Sequence, residues 1–462
     1  MFAPEIYETR RQRLQEQLRT GLALFLGNDE IPLNTPGLPH AFRQDSTFLY
    51  LTGVDHPGYS LLMDLDAGTT TLFADEPSLD AIIWTGAPAS PAEQAWKAGI
   101  AQVAPLSKLT DRLQRAQAQG RTVRFLPPYR PENKLKLLLL FGLHPEHQTL
   151  SASTDLVRAI AEQRIRKSPE EVAEIERAVD VSVDMHLAAM RMARPGLLES
   201  EIVARVTEIA LASGGDLCHP LVATTHGEVI RNRCHGVVLE NNRLFLLQAG
   251  AETQARYAGD VTSTFPVNRT FSSRQKEVYQ VVMNALAEAA AILRPGTWFQ
   301  DAHLKACKVL VEGLKALGLM KGDVDAAVAQ GAHALFFPHG LGHPLGLDAH
   351  DMEDLGDAWV GHEGRPRSTQ FGLHALALAR EMAPGFVFTL EPGLYFIPEL
   401  MDRWQAEKKF PAFIDYPRLE PYRTFGGIRI GETHVLQDHG TRRLGKPLPR
   451  IPAEIEVVRG RS

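Results

Sequence analysis

The feature that most constrains the fold of this chain is a helix–stop–helix arrangement written twice. Lys167-Ser168-Pro169-Glu170-Glu171 has the form of a helix start, with Ser168 at the N-cap, Pro169 at the first helical position and Glu171 completing a capping box. Val172, Ile175, Val179, Val183, Leu187 and Met190 follow at spacings of three and four, which lays one apolar face along the helix. Arg194-Pro195-Gly196 is expected to end it, because proline and glycine both interrupt a helix. The same arrangement returns about 100 residues later. Val278 to Leu293 reads as a helix, Arg294-Pro295-Gly296 as its stop, and Asp301 stands past Gly296 as Glu201 stands past Gly196. The repetition predicts a duplicated unit with pseudo-twofold symmetry and a cleft between its halves, where ligand sites tend to lie.

Ahead of this unit, residues 6 to 18 read as an amphipathic basic helix and Gly21 to Gly27 as a glycine-bounded buried strand. Tyr59–Leu65, Thr70–Phe73 and Ile82-Ile83-Trp84 are further strand candidates. The expected fold is therefore α/β (α+β), with a mixed α/β domain over residues 1–155 and a second domain over 156–462. Within the first domain no motif for chemistry stands out. Arg43, Asp45 and Trp84 are read as structural residues, with a reach into a binding cleft as the less favoured alternative.

Composition narrows the function classes. The chain has 462 residues, 44% hydrophobic and 23% charged, with a net charge of -6, which is the balance of a globular protein with a large core. There is no basic cluster with interleaved aromatics, so nucleic acid is not an expected partner. Cys218, Cys234 and Cys307 are far apart with no CxxC, which argues against a disulfide framework or a thiolate zinc site. No apolar segment reaches the roughly 20 residues of a membrane span and none has the form of a signal peptide, so no membrane association is expected and the reading is cytoplasmic.

The chemistry concentrates in Phe337 to Asp354, FPHGLGHPLGLDAHDMED, which holds His339, His343 and His350 among glycines and prolines. Those glycines and prolines favour strand and loop over helix, and three histidines in one short stretch suggest metal-assisted chemistry. Arg243–Ala249 and Tyr257–Val267 read as a hairpin. Asp260, Glu391 and Glu432 then stand at or near the ends of apolar strands, where a carboxylate needs a partner or a metal.

These segments together resemble the metallopeptidases of the pita-bread fold, which include methionine aminopeptidase, prolidase and Xaa-Pro aminopeptidase; the resemblance is strongest to the Xaa-Pro aminopeptidase family. RQDSTFLYLTG is similar to that family's N-terminal domain, while PHGLGHPLGLDAHDMED and TLEPGLYFIP are similar to its catalytic domain. The resemblance implies a C-terminal pita-bread domain and a homodimer or homotetramer. It also implies a site for two divalent metals, usually manganese, and peptides with proline at the second position as substrates. By the same resemblance Asp260, His343 and Glu391 stand at metal-ligand positions, with Glu391 also the general base. His339, His350 and Arg429 stand where the family handles substrate and intermediate.

Two ligand positions depart from the family pattern. Gln248 stands where the first aspartate is expected, and Gly431 where the last glutamate is expected, with Glu432 one residue late. A shift of one turns a strand side chain to the opposite face unless a bulge restores it. The position of a substrate-facing histidine falls near Arg231 to Arg233, with His235 out of register. Two carboxylates in place of four make a dinuclear centre improbable on charge grounds. The expected centre is therefore one divalent ion, manganese by resemblance, or none. In the metal-free case Arg231 or Arg233 turns in to pair with Asp260 or Glu391; otherwise both arginines face solvent. The function expected is a weak or inactive Xaa-Pro aminopeptidase-like protein that keeps a peptide-binding cleft, the alternative being an active one-metal Xaa-Pro aminopeptidase.

Overall fold

In a computed structural model of the chain, which describes residues 2–35 and 37–460, the run bounded by Gly21 and Gly27 forms the strand Leu22–Leu26 (β1). It pairs antiparallel with Ser60–Asp64 (β2), which pairs in turn with Thr69–Phe73 (β3). Gln102–Ala104 (β4) and Val123–Phe125 (β5) add parallel edges, giving a five-stranded sheet in the order β4-β3-β2-β1-β5. Leu24, Leu62 and Phe73 bury one face of this sheet against Leu109 and Leu113 of the helix Ser107–Ala118. Ile82-Ile83-Trp84 is not a strand. It belongs to the helix Leu79–Thr85, which Ser78 caps by accepting from the Ala81 N–H at 3.1 Å. A short apolar run is ambiguous between the two states, and the cap decides it. Asp45 likewise caps Ser46–Thr52 through the Phe48 N–H at 2.8 Å, and Arg43 donates to the Gln44 carbonyl at 2.8 Å, both structural roles. Trp84 is 80% exposed.

The chain divides into two compact units, Met1–Arg164 with Met352–Val360, and Ile165–Asp351 with Gly361–Ser462. The division expected between residues 155 and 156 lies inside the helix Thr154–Ile165.

In the second unit the duplication is visible bond by bond. The helix Pro169–Met192 begins with the capping box of Ser168 and Glu171, and Ser273–Ile292 with one made by Ser272 and Gln275. After each helix the stop glycine takes the left-handed conformation, with φ +88 at Gly196 and +87 at Gly296, which is why glycine stands there. Gly196 N–H donates to the Leu239 carbonyl and Glu199 N–H to that of Val237; Gly296 N–H donates to Met382 and Phe299 N–H to Arg380. The second helices of the pairs are Glu199–Ala212 and Phe299–Ala316.

The strands of this unit follow the same doubling. Asp216–Leu217 (β6) pairs with Ala251–Glu252 (β9), while Val222–Thr224 (β7), Leu244–Ala249 (β8) and Val261–Pro266 (β10) form a sheet in the order β10-β8-β7. Val387–Leu390 (β11), Glu432–Gln437 (β14) and Gly440–Arg443 (β15) form the second three-stranded sheet, and Gly393–Tyr395 (β12) pairs with Gly427–Arg429 (β13). The architecture is mixed α/β with an internally repeated second unit. Among the described residues no helix is long and apolar enough to cross a membrane.

Candidate metal centre

Three side chains converge where strands end. Asp260 immediately precedes β10 and Glu391 immediately follows β11. The irregular stretch holding His343 runs beside β11, fixed by Thr389 N–H to the His343 carbonyl at 3.0 Å and Glu391 N–H to that of Leu341 at 2.6 Å. One donor atom from each of Asp260, His343 and Glu391 lies within 4.8 Å of the others. His343 Nε2 is 3.0 Å from Glu391 Oε1 and 3.6 Å from Asp260 Oδ2. Close as they are, His343 Nε2, Glu391 Oε1 and Asp260 Oδ1 make no well-aligned hydrogen bond. Their lone pairs face a shared space rather than one another. His343 Nδ1 donates to the Pro344 carbonyl at 3.0 Å, which leaves Nε2 turned to that space.

Electrostatics tie the group together. Burial opposes protonation of His343, but the carboxylates of Asp260 and Glu391 outweigh it and raise its pKa to about 10. Burial pushes Glu391 up while His343 and Arg429 pull it further down, to about 2. Asp260 is likewise held well below the usual range, where the pull of His219 and His343 exceeds the cost of burial. Arg429, His343 and His219 thus surround the two carboxylates of Asp260 and Glu391.

Around this core, His350 stacks on His343 with ring centroids 3.9 Å apart, and the His343 charge followed by burial lowers it to about 3. His339 Nδ1 faces the Gly340 carbonyl at 2.8 Å, so that nitrogen carries the proton and Nε2 accepts from the Tyr395 hydroxyl at 2.8 Å. Burial, with Arg429 second, lowers His339 to about 4 and keeps it neutral. Tyr395 was not marked in the sequence, although it stands at the end of the EPGLY run. His219 was missed as well; its Nε2 lies 3.5 Å from Asp260 Oδ1, and a lone histidine in CHP carries no signal of that proximity.

The altered positions are neighbours. Thr262 pairs with Gln248 in β8 on one side and bridges to Gly431 on the other, so all three lie in one row across the strands. Gln248 Oε1 accepts from Arg429 Nη2 at 2.6 Å, and its Nε2 is 3.4 Å from Asp260 Oδ2. Arg429 Nη1 is 4.0 Å from Glu391 Oε2. Gly431 approaches Thr262 so closely that a Cβ would lie 2.9 Å from the Thr262 Cβ. Glu432 is turned away, as the period of two in a strand requires. It meets Arg450 Nε at 2.6 Å, His434 Nε2 at 2.8 Å and Arg443 at 3.5 Å, all outside the centre.

Arg231 and Arg233 are exposed, and among the described residues neither makes an ion pair with Asp260 or Glu391, although the Arg231 charge helps to lower His339 and His350. The guanidinium that enters the centre is that of Arg429, delivered by a strand rather than by the loop that carries 231 and 233. His235 Nδ1 lies 3.3 Å from the Ala223 carbonyl.

Two carboxylates and an imidazole with converging donor atoms make a three-ligand set that could hold a divalent ion. Beside it, residue 248 offers a neutral amide held by Arg429 and residue 431 offers no side chain.

Comparison with known proteins agrees with the architecture. Residues 173–438 match metallopeptidase family M24 and residues 7–124 match the aminopeptidase P N-terminal domain. The chain is 30% identical to the Xaa-Pro aminopeptidase of Escherichia coli strain K12, over 98% of this chain and 97% of that protein. To the human Xaa-Pro dipeptidase it is 28% identical, over 98% and 92%. A structure of zinc-substituted E. coli aminopeptidase P in complex with product superposes with a TM-score of 0.81 at 27% identity, covering 100% of this chain and 99% of that one. The chain belongs to metallopeptidase family M24, on the aminopeptidase P branch that carries the additional N-terminal domain.

Proposed function

We propose that this chain is an Xaa-Pro aminopeptidase relative that binds peptides with proline at the second position and cleaves them weakly or not at all. Its centre takes at most one divalent ion, on Asp260, His343 and Glu391. The observation that carries this reading is the Gln248–Arg429 bond, which occupies with a neutral amide and a buried guanidinium the side of the centre where a carboxylate would hold a second ion. The peptide class follows the names of the E. coli and human relatives.

A bound ion would supply Lewis acidity and polarise a carbonyl of the peptide. The rest is done by the chain's own groups. Glu391, depressed to about 2, stays ionised near neutral pH and can accept a proton from water. Neutral His339, oriented by Tyr395, and His350, stacked on His343, offer imidazoles to the bound peptide. Arg429 offers a fixed positive charge beside Glu391.

A second reading, an active one-ion Xaa-Pro aminopeptidase, is favoured by the three convergent lone pairs of Asp260, His343 and Glu391, since three protein ligands suffice for some catalytic metals. The two separate on an assay of Xaa-Pro tripeptides with added Mn²⁺, Co²⁺ or Zn²⁺, run beside equilibrium binding of the same peptides. Saturable binding with little or no product supports the first. Clear turnover that disappears in Glu391→Ala overturns it in favour of the second.

A further inference from the structure

His303, Cys307 and His333 form another cluster of metal-binding donors, separate from the centre above, with one donor atom from each within 4.8 Å of the others. His303 and Cys307 stand four residues apart on the helix Phe299–Ala316 and so project from one face. His333 comes from the 3-10 turn Ala332–Leu335. All three are buried. Cys307 Sγ lies 3.5 Å from His303 Nε2. Zinc bonds of about 2.3 Å to sulfur and about 2.0 Å to nitrogen, at a tetrahedral angle, space the two donors by about 3.5 Å.

The hydrogen-bond inventory points to a ligand. Neither ring nitrogen of His333 has a hydrogen-bond partner. Orphaned polar atoms this deep are costly and rare in a folded core.

We propose that His303, Cys307 and His333 bind one zinc ion. A thiolate with two imidazoles selects a borderline or soft ion over the hard, oxygen-preferring ions that suit Asp260 and Glu391. Binding forms a metal–sulfur bond and releases the Cys307 thiol proton to solvent. The ion fastens the helix Phe299–Ala316 to the turn that leads into Phe337–His343. His303 packs on Phe337 with ring centroids 5.5 Å apart, and Phe337 on His339 at 4.8 Å, so the clamp braces the segment that carries two of the centre's histidines.

The test uses the full chain, stripped with a chelator and titrated with Co²⁺, because a thiolate ligand gives cobalt a sulfur-to-metal charge-transfer band that carboxylates and imidazoles do not. The expected result is a saturable band, displaced by Zn²⁺, unchanged in Cys218→Ala and absent in Cys307→Ala. His333→Gln keeps the thiol and is expected to weaken cobalt binding at least tenfold, which covers the case of a Cys307 variant that fails to fold. Zinc is also expected to raise the Tm of the parent chain more than that of Cys307→Ala. Absence of the band in the parent chain, or its persistence in folded Cys307→Ala, overturns the proposal and leaves the 3.5 Å contact as a thiol–imidazole hydrogen bond.

Discussion

Arg429 Nη2 donates to Gln248 Oε1 at 2.6 Å, across the space between β13 and β8. Gln248 thus receives a buried guanidinium, and its own amide nitrogen turns to Asp260. An aspartate at 248 would offer a charged oxygen in the same place, where it could hold Arg429 or a metal. The two residues differ by a methylene and by a charge, and the charge bears on how many cations the centre retains.

Restoring that charge is the first prediction. Gln248→Asp with Gly431→Glu supplies both missing carboxylates and is expected to raise the Mn²⁺ bound at the centre from one ion per chain to two, read by calorimetric titration. Gly431→Glu alone is expected to lower stability by about 1–3 kcal/mol, because its Cβ would overlap Thr262 and the strand must shift. No change in ion count in the folded double variant would mean that Gln248 and Gly431 do not limit it.

Glu432 is expected to behave as a structural acid. Its carboxylate is buried among Arg450, His434 and Arg443, so Glu432→Ala leaves buried cations without their counter-charge and is expected to cost about 3–5 kcal/mol in denaturant unfolding. Mn²⁺ affinity should stay within about twofold of the parent in the folded fraction, a change well under 1.4 kcal/mol. A large loss of affinity with little loss of stability would make Glu432 a ligand after all.

The same cluster predicts acid sensitivity. Burial alone would raise Glu432, but Arg450 and His434 outweigh it and hold it at about 2, below the ordinary 4.5. A depressed acid contributes stability in full above its unfolded value and loses it as pH falls towards the folded value. The window is therefore about pH 4.5 down to about 2, with at most about 3 kcal/mol at stake. Parent and Glu432→Gln stability curves should converge as pH falls through that window, and a constant offset would contradict the assignment.

Tyr395 positions His339. Tyr395→Phe removes the hydroxyl that His339 Nε2 accepts from and is expected to weaken Xaa-Pro peptide binding by about 0.5–1.5 kcal/mol while leaving Mn²⁺ affinity unchanged. Equal losses in both would place the effect on the fold instead.

What was legible in the sequence was local or periodic. The caps at Ser168 and Ser272, and the Pro-Gly stops before Leu197 and Thr297, act within one turn of chain, so helix limits and the duplication could be read directly. Strand alternation pointed Glu432 outward, with a bulge at Gly431 as the alternative. Ile82-Ile83-Trp84 misled because a short apolar run fits either state until its cap is weighed. Contacts between distant segments were out of reach. Arg429 meets Gln248 only after β13 and β8 are brought together, His219 comes beside Asp260 by folding, and nothing local tells an exposed Arg231 or Arg233 from a buried one. His303 and Cys307 show helical spacing, but His333 joins them only in three dimensions.

The account rests on a centre that takes at most one ion, and anomalous diffraction at the manganese edge from crystals grown with excess Mn²⁺ tests it most directly. The predicted result is no more than one anomalous peak at the centre, bounded by Asp260, His343 and Glu391, with Gln248 still bonded to Arg429. Two peaks there, with Gln248 or Glu432 drawn in as a ligand, would contradict it.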